Sequence, residues 1–282
     1  MEILKSFDLE INDELFYLFS DLIYRTSGIK LGIHKKGLLV SRLLKRLTLL
    51  GIKDFHCYLK RVKSDNEELV QMLNCISTNT TKFFREKYHF EYLKDRVMPE
   101  LIQSCRDRTI RIWSAGCSTG EEPYSIAMTV FEALRNMGMD DGTWDIKILA
   151  TDISTKVLGV AEEGIYELEQ LPDTLPGDMI TRYFLKGVGK NRGRIKVKDS
   201  LKEAIRFRRL NLKDRTYPFK RKFDVIFCRN VMIYFDEDMK QHVLSNFHYY
   251  LSSTGYLFLG HSEAMLDREQ FTPVYITVYR KR

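Results

Sequence analysis

From residue 110 onward, short β-rich runs alternate with helical stretches, and this alternation constrains the fold more than any other feature of the chain. The runs are Ile110–Ser114, Ile146–Ala150, Ile205–Leu210, Phe223–Cys228, Tyr256–Gly260 and Val274–Tyr279. Between them lie helical candidates Glu121–Met137, Ser154–Glu162 and Glu237–Leu251. Such alternation predicts a mostly parallel, doubly wound sheet with helices on both faces. The last two runs are too close for a right-handed helical crossover, so Val274–Tyr279 is expected to enter antiparallel. Residues 164–202 interrupt the alternation. There Tyr183-Phe184-Leu185 and Ile195-Lys196-Val197 flank a turn containing Gly187, Gly189 and Gly193, which predicts a small antiparallel β-subdomain.

Residues 1–75 read differently. Helical candidates Asn12–Ser27, Lys36–Leu50, Lys53–Lys63 and Asn66–Cys75 follow one another with few β-branched runs between them. The expected organisation is a small all-α domain over 1–75 and an α/β domain over 76–282. Positive charge gathers in the first of these. Between Lys30 and Lys63 bases recur and the only acid is Asp54. Leu39, Val40, Leu43, Leu44, Leu47 and Leu50 make an apolar stripe on the second helix, and Lys35, Arg42, Lys45 and Arg46 fall mostly off it. A basic outer face suits nucleic acid, anionic lipid or an acidic protein, and a solvated face with no partner has equal standing.

Composition narrows the class. At 282 residues the chain is long enough to bury a core without disulfide or zinc staples. Hydrophobic residues at 44% and charged residues at 29% exclude a disordered chain, a collagen and a membrane bundle. Met1–Asp8 lacks the layout of a signal peptide, and no run approaches the length of a membrane span. The five cysteines are scattered without CxxC spacing, so no metal site or disulfide framework is expected. Reduced thiols and a cytoplasmic location are the plain expectation.

Four clusters carry chemistry. After the first strand, Ser114-Ala115-Gly116-Cys117-Ser118-Thr119-Gly120 turns into a helix that opens with Glu121-Glu122. Gly116 and Gly120 let backbone approach a ligand closely. The spacing is not GxGxxG, and two acids at a helix start would repel a pyrophosphate. A cationic, phosphate-free ligand such as S-adenosylmethionine fits better. First-turn acids favoured by the helix dipole are the ordinary alternative. The second strand ends at Asp152, placed to accept from ribose hydroxyls or, with Ser154, to cap the next helix. A later strand ends in Cys228-Arg229-Asn230-Val231, with Tyr234 in the exit loop; a packed aromatic is the ordinary reading of that tyrosine. Ser77–Glu86 forms a polar junction between the two domains, and such junctions favour ligand clefts.

Taken jointly, Asn79-Thr80-Thr81-Lys82-Phe83-Phe84-Arg85-Glu86, Ser114–Ser125 and Cys228–Phe235 strongly resemble the CheR family of chemotaxis receptor glutamate methyltransferases. The resemblance covers nearly the whole chain. It implies a Rossmann-like S-adenosylmethionine domain, preceded by a helical receptor-recognition domain and interrupted by the β-subdomain. It implies transfer of the donor's methyl group to receptor glutamate carboxylates, with S-adenosylhomocysteine as product and no metal. It places Asn79, Thr81, Arg85, the Ala115-Gly116 turn, Glu122 or its neighbour Glu121, Asp152, Asn211-Leu212 and Asn230-Val231 in the cofactor site. Arg85 and Tyr234 are the positions it sets nearest the transferred methyl. The acidic helical bundle of a receptor becomes the expected partner for Arg42, Lys45 and Arg46. The longer loop through Gly187, Gly189 and Gly193 implies a tether for a receptor C-terminal peptide. No nucleic acid is expected, and membranes only indirectly through receptors. The rival readings are a methyltransferase of RNA or a small molecule, and a non-catalytic cofactor-sensing or receptor-docking module.

Overall fold

The computed structural model describes residues 11–139, 142–264 and 269–282, so Met1–Asp8 lies outside the described residues. Four helices form the N-terminal domain: α1 (Asp13–Ser27), α2 (Lys36–Leu50), α3 (Phe55–Ser64) and α4 (Asn66–Ile76). Local chemistry sets their ends. The Asn12 side chain accepts from Leu15 N and caps α1, and Asp65 does the same for α4. Left-handed Gly28 and Gly51 stop α1 and α2. Phe16, Phe19, Ile23, Leu39, Leu43, Leu47 and Tyr58 fill the core between these helices.

A long helical passage then leads into the α/β domain. It consists of α5 (Tyr88–Tyr92), a π-helical segment Leu93–Val97 and α6 (Met98–Ser104). The sequence reading placed no element here. The apolar faces of Phe90, Leu93, Val97 and Leu101 pack on the sheet and hold the passage helical.

The main strands are β1 (Thr109–Ala115) and β2 (Asp145–Asp152), with helix α7 (Glu121–Asn136) between them. After β2 come α8 (Thr155–Glu163), β3 (Ile165–Glu167), α9 (Gly177–Tyr183), β4 (Phe184–Lys186), β5 (Arg194–Val197) and α10 (Asp199–Lys202). The chain continues through β6 (Ile205–Arg209), β7 (Phe223–Cys228), α11 (Glu237–Tyr250), β8 (Leu251–Leu259), β9 (Phe271–Tyr275) and β10 (Val278–Lys281). The seven-stranded sheet runs β6-β2-β1-β7-β8-β10-β9. Neighbours from β6 to β8 are parallel, and β10 is antiparallel to both β8 and β9. This is a doubly wound, Rossmann-like sheet closed by an antiparallel hairpin. The expected last strand is in fact that hairpin, because Ile276 and Thr277 (φ 49°) turn the chain between two short strands. The chain does enter antiparallel, but as two strands rather than the single one expected. β3, β5 and β4 form a separate antiparallel sheet, the expected β-subdomain.

One crossover departs from the βαβ pattern. Between β6 and β7, residues 210–222 carry no helix. Leu210, Leu212, Tyr217 and Phe219 lie instead against Trp113 and Phe223 on the sheet face shared with α11.

The N-terminal domain contains a buried charge pair. Arg46 Nη2 lies 2.6 Å from Glu68 Oε2, and Arg46 Nε donates to Glu68 Oε1 at 2.9 Å. Tyr58 donates to the same carboxylate at 2.8 Å. The Glu68 side chain is 2% exposed, so Arg46→Ala leaves its charge without a counter-ion. The expected cost is about 3 kcal/mol of folding free energy, measured by denaturant unfolding; a change within 0.5 kcal/mol, roughly that of a surface mutation, would refute it.

Candidate active site

The strand order reverses at β1, between β2 and β7, and a cleft opens there beyond the carboxyl ends of the strands. The helical domain forms its opposite wall through Ser27, Leu31, Lys35 and Leu39. The cleft encloses about 1290 Å³, part of it open to solvent. Its lining includes Asn79, Thr81, Arg85, Gly116, Glu122, Asp152, Asn211, Leu212, Asn230, Val231 and Tyr234. Residues drawn from five separate stretches of sequence are thus brought to one surface.

Two of the cofactor-site expectations lie elsewhere. Ala115 is fully buried in the core behind the turn. Glu121 is 2% exposed and accepts from Thr119 Oγ1 at 2.7 Å, off the cleft. Glu122, one helical step on, does line it. Its carboxylate accepts from Ser114 Oγ at 2.7 Å and faces Arg229 Nη1 at 3.3 Å. Burial pushes the Glu122 carboxyl above its ordinary value, and Arg229 pulls it part of the way back.

The glycine turn is sterically obligatory at one point. Gly116 has φ 85°, and a Cβ there would stand 2.4 Å from Val231 Cγ2. Only glycine lets the β1 turn and the β7 exit loop come this close. Asp152 holds the turn from the other side. It accepts from Ser118 N and Ser154 N, both at 2.9 Å. Burial raises its carboxyl, and these N–H donors oppose the rise. Ser154 Oγ accepts from Val157 N and caps α8, the N-cap reading the sequence offered.

Arg85 sits between two residues of positive φ, Phe84 (53°) and Glu86 (57°). Ser118 and Asn230 add φ values of 50° and 60° in the facing loops. Backbone strain of this kind persists only where surrounding contacts enforce it. The enforcing contacts centre on Arg229, whose side chain is 2% exposed. Its guanidinium reaches Glu86 at 3.0 Å, Glu122 at 3.3 Å and the carbonyl of Arg85, and stacks 5.4 Å from the Phe90 ring centroid. Burial alone would raise Glu86, but Arg229 together with the His261 N–H and the Asn230 amide outweighs it and holds the carboxyl below its usual range. Glu263 accepts from Asn230 N at 2.7 Å and Gly260 N at 2.8 Å, which fixes the loop bearing Tyr234. The sequence reading assigned no role to Arg229, Glu86 or Glu263. Arg229 and Glu86 stood inside quoted motifs, and a charge directly after a buried strand was the available signal. Glu263 offered none.

The helical domain contributes directly. Tyr234 O accepts from Lys30 N at 2.9 Å, and Lys35 Nζ lies 5.8 Å from the Tyr234 ring centroid. Asn211 donates to Thr26 O at 2.6 Å, so its side chain ties the domains together.

The outward basic face expected of Arg42, Lys45 and Arg46 needs correction. Arg46 is committed to Glu68. Arg42 turns toward the domain junction, donating to the carbonyls of Ile76 and Ser77 and to Thr78 Oγ1, and it lines the cleft. Only Lys45 points to solvent. Helix α2 carries its cations on its flanks, where longer side chains reach acceptors in α4 and beyond. Gly187, Gly189 and Gly193 lie in the distant β-subdomain turn. Among the described residues no group of three or more His, Cys, Asp or Glu could hold a metal ion, and no helix is long and apolar enough to cross a membrane.

His89 is fully buried beside the Arg229 network, with Nδ1 3.5 Å from Glu86 and Nε2 3.0 Å from Thr277 Oγ1. Burial first, then Arg229, lowers its pKa from 6.5 to about 4. The neutral ring therefore stabilises the fold fully above the unfolded value, and that contribution drains away as pH falls toward the folded one. Wild type should lose about 2 kcal/mol more than His89→Gln between about pH 7 and about pH 5, read by urea unfolding. Equal losses in the two proteins would contradict this.

A family model described as the CheR methyltransferase SAM binding domain matches residues 79–280, and one for the CheR methyltransferase all-alpha domain matches 14–77. The chemotaxis protein methyltransferase of Borreliella burgdorferi is 40% identical over 283 aligned positions, covering 98% of this chain and 97% of that protein. The Escherichia coli chemotaxis protein methyltransferase is 42% identical, covering 96% of this chain and 92% of its own length. Chemotaxis protein methyltransferase 2 of Pseudomonas aeruginosa is 40% identical, with 89% of each chain covered. The cleft, the sheet and the helical domain are those of an S-adenosylmethionine-dependent methyltransferase of chemotaxis, and this chain belongs to the CheR methyltransferase family.

Proposed function

We propose that the chain transfers the methyl group of S-adenosylmethionine to glutamate side-chain carboxylates of chemoreceptors. The products are a methyl ester and S-adenosylhomocysteine. The observation that carries this reading is the meeting of Arg85 and Tyr234 in one cleft with Glu122 and Asp152. The lining suits the donor: two recessed carboxylates and a glycine turn, with acids where a phosphate would need bare N–H groups. Asn79, Thr81, Gly116, Glu122, Asp152, Asn211, Leu212, Asn230 and Val231 would hold it. When bound, it supplies an electrophilic methyl group on a sulfonium.

The residues of the chain have a modest chemical task. A glutamate carboxylate has a reference pKa of about 4.3 and is already ionised, so no general base is needed. The incoming oxygen must be aligned and its water removed. Arg85, braced through Thr80 O at 3.0 Å and by the strained backbone on either side, can orient the carboxylate. Tyr234, whose carbonyl accepts from Lys30 N and whose neighbour Ile233 donates its N–H to Glu263, aims the oxygen without fixing its charge as firmly. Both are positioning groups rather than proton shuttles.

The same reading assigns the acidic helical bundle of a receptor to the cleft mouth, in the cytoplasm, with exposed Lys45 among the steering charges. It assigns a receptor C-terminal peptide to the β-subdomain, where β4 pairs with β5 alone and Leu185 (54%) and Val188 (81%) stand exposed beside the glycine turn.

Incubation with methyl-labelled donor and receptor-containing membranes should label receptor, and mild base should release the label as methanol. A base-stable product would favour a different acceptor such as RNA, and no transfer would favour a non-catalytic module. Tyr234→Phe should lower turnover while leaving donor affinity within about twofold, whereas Asp152→Ala should weaken donor binding at least about tenfold in calorimetry. Equal effects of Tyr234→Phe on both quantities, or unchanged affinity in Asp152→Ala, would contradict these roles.

A further inference from the structure

The formal charge of the chain is +7, and one short segment alone carries as much. Between Arg206 and Lys222 stand Arg206, Arg208, Arg209, Lys213, Arg215, Lys220, Arg221 and Lys222, against the single acid Asp214. The N-terminal basic run is partly neutralised in space, through Lys36–Asp13, Arg46–Glu68 and Arg61–Asp65. Among the described residues, none of the eight later bases pairs with a carboxylate. Arg206, Arg208 and Arg209 rest their guanidinium groups on backbone carbonyls, which leaves their charge uncompensated.

Register places Arg206 and Arg208 on one face of β6, and Arg209 at the strand end on the other. Ile205 and Phe207 pack into the core on the α7 side, so alternation turns Arg206 and Arg208 to the other side. Across the ladder Trp113 aligns with Leu149, and Leu149 aligns with Arg206. This is the face on which the helix-free crossover 210–222 lies, with Tyr217 and Phe219 against Trp113. A parallel sheet is normally covered by helices on both faces. Here, among the described residues, no helix covers the outer half of one face at the β6 edge, which carries cations, and Lys220, Arg221 and Lys222 extend the charge toward the opposite end of the strands. Burial first, then Lys222, lowers the pKa of Lys281.

We propose that this β6–crossover face docks onto an anionic lipid surface. The bases form a broad, diffuse field without a pocket or carboxylate-fork geometry, as suits many mobile headgroups rather than one structured ligand. Tyr249, 66% exposed with Lys222 Nζ 5.8 Å from its ring centroid, adds an amphipathic ring of the kind favoured at membrane interfaces. Stacking platforms for nucleobases do not alternate with the cations, which disfavours single-stranded nucleic acid. Asn211 and Leu212 leave β6 and line the catalytic cleft, so docking of this face sets the cleft at a defined position relative to the bilayer.

The test uses the full chain and vesicles of phosphatidylcholine with or without phosphatidylglycerol. Wild type should sediment with the anionic vesicles, not with the neutral ones, and raised salt should release it. The variant Arg206→Glu, Arg208→Glu, Lys220→Glu, Arg221→Glu should lose about 100-fold or more in vesicle affinity, at unchanged donor affinity. Charge reversal at Lys45, Lys53 and Lys60 should leave vesicle binding intact. Failure of wild type to bind, retention of binding by the first variant, loss in the second, or displacement from vesicles by equimolar RNA would each overturn the assignment. The readout needs no acceptor and is separate from the reading of glutamate methylation.

Discussion

Arg229 is the contact on which the site depends. One guanidinium, almost wholly withdrawn from water, joins the β7 end to Glu86 of the junction loop and Glu122 of α7. Removing one partner of such a buried group costs about 3–5 kcal/mol, because the remaining charge has no solvent to receive it. The junction loop therefore keeps its two positive-φ residues, and Arg85 keeps its place between them. Glu263 plays the complementary part for the Asn230–Ile233 turn by accepting its backbone N–H groups. The residues assigned to orientation are thus each supported by charges that do not themselves carry the chemistry.

The helical domain is structurally part of the site. Thr26 O, Lys30 N and Arg42 each bind something belonging to the cleft or its junction. Asn74 also donates to Thr155 Oγ1 at 3.1 Å across the domain boundary. Water is excluded from one side of the cleft by α1, α2 and the turn between them, which a doubly wound sheet alone would leave open. An acceptor atom stripped of water is better placed for methyl transfer.

Charge along the chain and charge in space are different quantities here. The N-terminal run looks the more basic in one dimension, yet Glu68, Asp13 and backbone carbonyls absorb several of its cations. The later run is shorter, yet it remains uncompensated because its crossover has no helix to bring acids opposite it. Fields act over roughly a Debye length of about 10 Å, so the spatial arrangement is the one a partner meets.

What the sequence determined by itself was periodic and local. Lys36–Leu50 and Phe223–Cys228 emerge with the expected bounds, since an apolar stripe ended by glycine and a buried β-rich run are each complete within their own residues. Gly116 was legible because φ 85° and close approach both demand glycine. The tertiary structure decided the rest. Glu122 rather than Glu121 reaches the cleft because the helix rotates about 100° per residue, and the direction of that rotation is set by packing on the sheet. Tyr88–Ser104 is helical because the sheet offers its apolar residues a surface. Arg42 and Arg46 turn inward because their acceptors lie on α4 and just beyond it, more than twenty residues away in sequence. Local patterns name elements, but the partner of a long charged side chain is chosen only when distant segments meet.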